Sequence, residues 1–174
     1  MAALVLIADD DPIQRRLLEA MARRFGYDVE TAESGEIALA RLEAADRPAV
    51  NLIVLDLVMP DLDGMGVLSR MRQREITTPA IVQTAPGSIE AVISAMRAGA
   101  VDFVVKPVGA ERLQVAIKNA LRADALQDEL RRATRRSLGE LSFRDIGTKV
   151  ESMARTLRLA AMRDHTRSSG LSAK

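Results

Sequence analysis

The chain has 174 residues and a net charge of +1; 48% of its residues are apolar, but only 2% are aromatic. That length holds one domain of about 100–150 residues plus an appendage, with a core built from Val, Ile, Leu, Ala and Met. The lack of cysteine excludes a disulfide framework, a thiolate metal site and a Cys nucleophile; with no signal-like amino terminus and no apolar run of about 18 residues, a soluble cytoplasmic protein without membrane partners is expected.

Short apolar runs near 4–8, 28–32, 52–55, 80–83 and 101–105 read as buried parallel strands. Helical patterns lie between them. Asp11 and Pro12 open a first helix that runs to about Phe25 and ends at Gly26. Ser34 opens a second, to about Ala45, with Pro48 beyond it. Gly64 through Arg74 supplies a third, and Ser88 through Ala98, stopped by Gly99, a fourth. Alternation of this kind predicts a doubly wound α/β sheet.

Between Glu111 and Leu138 there is neither Gly nor Pro. As one helix this segment would extend about 42 Å, beyond what a small domain needs. Leu113, Ile117, Ala120 and Leu121 are spaced to pack on the sheet, whereas Leu126, Leu130 and Ala133 form a thinner stripe. A protruding linker helix and a dimerising one, giving a homodimer through 111–138, both fit. Residues 148–162 are amphipathic, and the last dozen read as a disordered tail.

Charge is unevenly shared. Residues 1–108 carry 16 acidic and 11 basic side chains, and 109–174 carry 8 and 14. Arg131, Arg132, Arg135 and Arg136 concentrate the positive half, as a solvated helix face or a surface for an acidic partner. Without aromatic interleaving or zinc-ligand spacing, nothing favours nucleic acid.

Polar residues stand where the apolar runs end: Asp9 and Asp10, Asp56, Thr84 and Lys106. In an open parallel sheet such positions converge outside the carboxyl ends of the strands. Carboxylates about 4 Å apart repel by about 4 kcal/mol per pair at an effective dielectric of about 20, so a group of three needs a cation among them. Magnesium, with its preference for carboxylate, carbonyl and water oxygens, answers that need through Asp10, Asp56 and a backbone carbonyl just after Asp56, with Asp9 reaching it through water. Asp56, on the central strand, can then attack a phosphorus, with Lys106 and the Thr84 hydroxyl paired to phosphoryl oxygens. Nothing resembles a general base, and none is needed for attack by an ionised carboxylate.

The stretches Ile7-Ala8-Asp9-Asp10-Asp11-Pro12, Val54 through Gly64, Thr84-Ala85 and Phe103-Val104-Val105-Lys106-Pro107 together resemble the receiver domain of two-component response regulators. The resemblance covers roughly residues 1–125 and implies a flavodoxin-like, doubly wound five-stranded parallel sheet of order 2-1-3-4-5 with an extended C-terminal helix. It implies that Asp56 is the phosphoacceptor, that Asp10, Asp56 and the Val58 carbonyl hold Mg2+ with Asp9 in the outer shell, and that the Lys106-Pro107 bond is cis. It further implies a switch in which Thr84 moves inward and Phe103 turns into the vacated space, altering the surface made by the fourth helix, fifth strand and fifth helix. Val58 and Pro86 flank the pocket and cannot position water, which predicts slow dephosphorylation. The implied partner is a sensor histidine kinase or phosphotransfer protein.

Ser88 through Ala100 and the long helix resemble the nitrogen-regulator (NtrC-like) subgroup that activates sigma-54 polymerase, and Leu141 through Ile146 is similar to the threshold of that subgroup's AAA+ ATPase domain. Neither the phosphate loop Gly-x-x-x-x-Gly-Lys-[Ser/Thr] nor a helix-turn-helix follows, so neither ATP hydrolysis nor direct DNA binding is expected of this chain. The expected organisation is a receiver at 1–122, a linker or coiled-coil helix at 123–138, a helical remnant at 139–163 and a tail at 164–174. A fragment of a longer regulator and a natural truncation would both look like this. A stand-alone receiver serving as phosphate sink or interaction module is the alternative within signalling. A magnesium-dependent phosphohydrolase usually has a second acid two residues after its nucleophile, and Val58 stands there instead.

Overall fold

The computed structural model describes residues 2–135. The chain divides into two units, Met1–Leu126 and Gln127–Lys174. The first alternates β1 (Leu4–Ala8), α1 (Pro12–Arg24), β2 (Asp28–Ala32), α2 (Gly35–Glu43), β3 (Leu52–Asp56), α3 (Gly64–Gln73), β4 (Ala80–Thr84), α4 (Ile89–Ala98) and β5 (Asp102–Val105). Residues 110–135 are helical, and their first part, to Leu126, is α5 of this unit. The described residues of the second unit, 127–135, are all helical. The expected remnant at 139–163 and tail at 164–174 lie outside the described residues.

All four strand pairings are parallel, in the order β2-β1-β3-β4-β5. Alternation along each strand feeds two cores. Leu6 and Ala8 with Ile53 and Leu55 face one side, where Leu39 of α2, Val67 and Leu68 of α3 and Ala95 of α4 pack on them. Val5 and Ile7 with Leu52, Val54 and Ile81 face the other, covered by Leu18 and Ala22 of α1 and by Leu113, Ala116, Ile117 and Ala120 of α5. Burial on both faces explains why β1, β3 and β4 are continuous apolar runs. The sheet-facing half of the stripe expected on the last helix is thus buried, whereas Leu126 and Leu130 are exposed.

The starts of α1, α2 and α3 follow side-chain caps, whereas Ser88 makes no such bond at α4. The Asp11 carboxylate accepts from the Ile13 and Gln14 amides, and Ser34 Oγ accepts from Ile37. Asp63, not anticipated as a cap, accepts from Gly66 and sets the start of α3. Gly99 takes a left-handed φ of 113° where α4 ends. The second helix stops at Glu43 rather than near Ala45, and β5 begins at Asp102 rather than Val101. Val101 still donates its amide to the Ala80 carbonyl, but it stands outside the strand and is half exposed.

Candidate functional site: an acidic crevice at the strand ends

The site lies at the carboxyl edge of the sheet. Asp56 and Thr84 are the last residues of β3 and β4, Asp9 and Asp10 follow β1, and Lys106 follows β5. β5 is at the sheet edge, with β4 between it and β3, so the Lys106 side chain crosses β4 to reach its partners. Its Nζ donates to Asp56 Oδ2 at 2.7 Å and to Asp9 Oδ2 at 3.2 Å. Asp9 is fully buried and Asp56 nearly so, whereas Asp10 is exposed. The peptide bond Lys106-Pro107 is cis, as the resemblance implied.

Burial pushes the Asp9 carboxyl above its ordinary range, against the pull of the Lys106 charge. Burial also pulls the Lys106 ammonium down, but its hydrogen bond to Asp56 and the charges of Asp56 and Asp9 outweigh this and hold it above the usual lysine value. Each group therefore depends on the other: two buried acids share one cation.

Backbone contacts fix the rest. The Asp11 amide donates to Asp9 Oδ1 at 2.9 Å, and the Val58 amide donates to Asp56 Oδ1 at 3.3 Å. Gly64 passes so close to β3 that a Cβ there would lie 2.3 Å from the Asp56 carbonyl, which is why glycine follows Asp63. The Thr84 hydroxyl points to the Ala85 carbonyl at 3.4 Å, leaving it near the crevice and outside the Lys106 network. Phe103 is half buried against the α2–α4 core, and the Arg112 guanidinium sits 6.0 Å from its ring centre. Val58 is largely exposed.

One oxygen from each of Asp9, Asp10 and Asp56 lies within 4.8 Å of the others. This hard-oxygen donor set fits a magnesium ion.

Sequence reasoning missed three residues here. Arg15 donates from Nη1 to the Asp9 carbonyl at 2.6 Å and to the Asp10 carbonyl at 3.3 Å. Gln83, read as part of an apolar run, is fully buried, and neither of its amide atoms has a partner among the described residues. Arg112 donates to Asp102 Oδ1 and to the Phe103 carbonyl, both at 2.7 Å. The carbonyl bonds of Arg15 and Arg112 depend on backbone geometry, and only the acid pattern around Arg15 offered a hint.

Residues 5–118 match the response regulator receiver domain family. The regulatory protein AtoC of Escherichia coli is 35% identical over 127 residues, which is 73% of this chain and 27% of that protein. The probable transcriptional regulator ycf27 of Cyanophora paradoxa is 41% identical over 118 residues, 68% of this chain and 48% of that one. The crystal structure of NtrX from Brucella abortus superposes with a TM-score of 0.69 at 33% identity, over 75% of this chain and 29% of that chain. The chain thus spans between about a quarter and a half of the curated relatives it matches. It belongs to the response regulator receiver domain family.

Proposed function

We propose that this chain is the phosphoacceptor of a two-component phosphorelay and that Asp56 carries the phosphoryl group. The observation that supports this most directly is the Lys106 ammonium bound to both Asp9 and Asp56 within a cluster of three carboxylates. An Asp56 carboxylate oxygen attacks the phosphorus of a phosphohistidine on a sensor kinase or phosphotransfer protein. The P–O bond forms as the P–N bond breaks, and the imidazole leaves with the electron pair and takes up a proton. Asp10, Asp56 and the Val58 carbonyl would hold Mg2+, with Asp9 acting through water; when bound, the ion neutralises charge that builds on the phosphoryl oxygens. Lys106 pairs with one phosphoryl oxygen and the Thr84 hydroxyl donates to another. Phosphorylation of the chain is slow without a partner, and the chain turns over no substrate.

The readout follows from differential contacts. Thr84 swings inward, Phe103 turns into the space it leaves, and the surface of α4, β5 and α5 changes. The similarity to AtoC and NtrX supports placing this receiver in a sigma-54-dependent transcriptional regulator of the cytoplasm. Exposed Leu126 and Leu130 support a homodimer through 111–138, of which 136–138 lie outside the described residues.

The test is intact-mass measurement after incubation with acetyl phosphate and magnesium. The chain gains one phosphoryl mass, and Asp56→Asn gains none. Equal labelling of Asp56→Asn would move the phosphoacceptor elsewhere, and steady release of phosphate from a small ester would favour the phosphohydrolase. Sedimentation with and without beryllofluoride addresses the dimer, and a monomeric mass in both states at tens of micromolar would exclude it.

A further inference from the structure

The three acids and Lys106 do not account for every cation at the crevice. Arg15, in the second turn of α1, is mostly buried and turns back toward the loop that precedes its own helix. Its Nη1 bonds the main-chain carbonyls of Asp9 and Asp10, and its Nη2 comes no nearer than 4.0 Å to the exposed carboxylate of Glu33. Arg15 therefore spends its hydrogen bonds on main chain, whereas Lys106 spends its own on carboxylate oxygens. The difference matters. A cation bonded to the carboxylates competes with a metal ion for them; one bonded to the carbonyls behind them does not.

The loop around Asp10 is held at every residue. The Asp9 amide donates to the Ala32 carbonyl, the Asp11 amide donates to Asp9 Oδ1, and Asp11 caps α1 through the Ile13 and Gln14 amides. Asp10 alone contributes no side-chain bond among the described residues, and its carbonyl is held only by Arg15. The direction of the Asp10 carboxylate is set by main chain that Arg15 clamps through the carbonyls of the two peptides on either side of the Asp10 Cα. We infer that Arg15 is a positioning residue for the cation site, orienting the Asp10 carboxylate toward Asp56 without touching the ion itself. This rests on the magnesium reading proposed above, and it assigns a role to a residue outside the acid and lysine set.

Charge and geometry predict opposite results for this residue, which makes the inference easy to test. Removing a nearby positive charge, by itself, should tighten the hold on a divalent cation. Losing the clamp should loosen it, because residues that orient metal ligands typically control affinity by about tenfold or more. The experiment titrates magnesium chloride at constant ionic strength into the full chain and follows backbone amide shifts by NMR, for the native protein, Arg15→Met, Arg15→Lys and Asp10→Asn. Both Arg15 variants are expected to bind magnesium about tenfold more weakly, including Arg15→Lys, which keeps the charge but loses the planar fork. Their unchanged spectra away from the crevice show that the fold is intact, and Arg15→Lys keeps the test open if Arg15→Met does not fold. Affinity equal to or tighter than native in either folded variant overturns the inference. If the native chain takes up no magnesium, or Asp10→Asn binds it as well as native, the magnesium reading itself fails, and that outcome is distinct from the first.

Discussion

Lys106 Nζ lies 2.7 Å from Asp56 Oδ2, so the proposed phosphoacceptor oxygen is already paired with a cation before any phosphoryl group arrives. The same ammonium holds the fully buried Asp9. Replacing Lys106 with Met leaves two buried acids facing each other, and breaking such a pair costs about 3 kcal/mol. The urea midpoint of Lys106→Met without magnesium should fall accordingly, and the loss should shrink in an Asp56→Asn background. Equal losses in both backgrounds would show that the pair is not the source.

Glu30 and Arg41 make the opposite kind of pair, away from the crevice. Arg41, buried on α2, forms a two-pronged bond to Glu30 on β2 and also donates to the Pro48 carbonyl at 2.7 Å. That bond holds the Glu30 carboxyl below its ordinary range despite some burial. A lowered folded-state value means that the contribution is complete at neutral pH, above the ordinary glutamate range. It is lost as pH falls from that range through the depressed value. Glu30→Gln should therefore be less stable than native at pH 7, and the two melting curves should converge on acidification through that window. A constant gap across the window would contradict the assignment.

Gln83 predicts a gain. It is the β4 residue in register with Asp56, fully buried, with both amide atoms unpaired among the described residues. An unmet buried amide costs about 1–3 kcal/mol, and an apolar side chain of similar shape avoids it. Gln83→Met is expected to raise stability by about 1 kcal/mol in urea unfolding. A loss of stability would mean that the amide has an internal partner, such as a bound water.

If Asp56 is phosphorylated as proposed, the side chain at position 58 should set how long the phosphoryl group lasts. Val58 is 75% exposed and follows the phosphoacceptor by two, where an apolar side chain cannot hold an attacking water. Val58→Asn should shorten the lifetime of the phosphorylated chain about tenfold, or about 1.4 kcal/mol of barrier. Phosphate release after removal of the donor measures it. An unchanged lifetime would show that water is positioned from elsewhere.

The strands were readable because β1, β3 and β4 are buried on both faces, and a continuous apolar run has no other use in so short a segment. The acids were readable because they stand at the ends of such runs, and Lys106 because it closes the partly buried apolar run of β5. Asp63 as a cap was overlooked because the Asp-Leu-Asp-Gly sequence offers two candidates, and only Asp63 has its carboxylate on the Gly66 amide. Gln83 was absorbed into its apolar neighbours because every residue of β4 is buried, so no alternation sets a polar residue apart. Arg15 and Arg112 bond carbonyls, and a carbonyl leaves no trace in side-chain patterning.

The reach of Lys106 across β4 has one further consequence. Its partners are 50 and 97 residues away along the chain, on strands that meet only when the sheet is assembled from β1 to β5. The β3-β4-β5 part of the sheet brings Lys106 to Asp56, but Asp9 joins them only when β1 docks beside β3. If Asp56 takes up a phosphoryl group as proposed, that uptake is an assay of completed folding, and a chain arrested before β5 docks would remain silent to a phosphodonor.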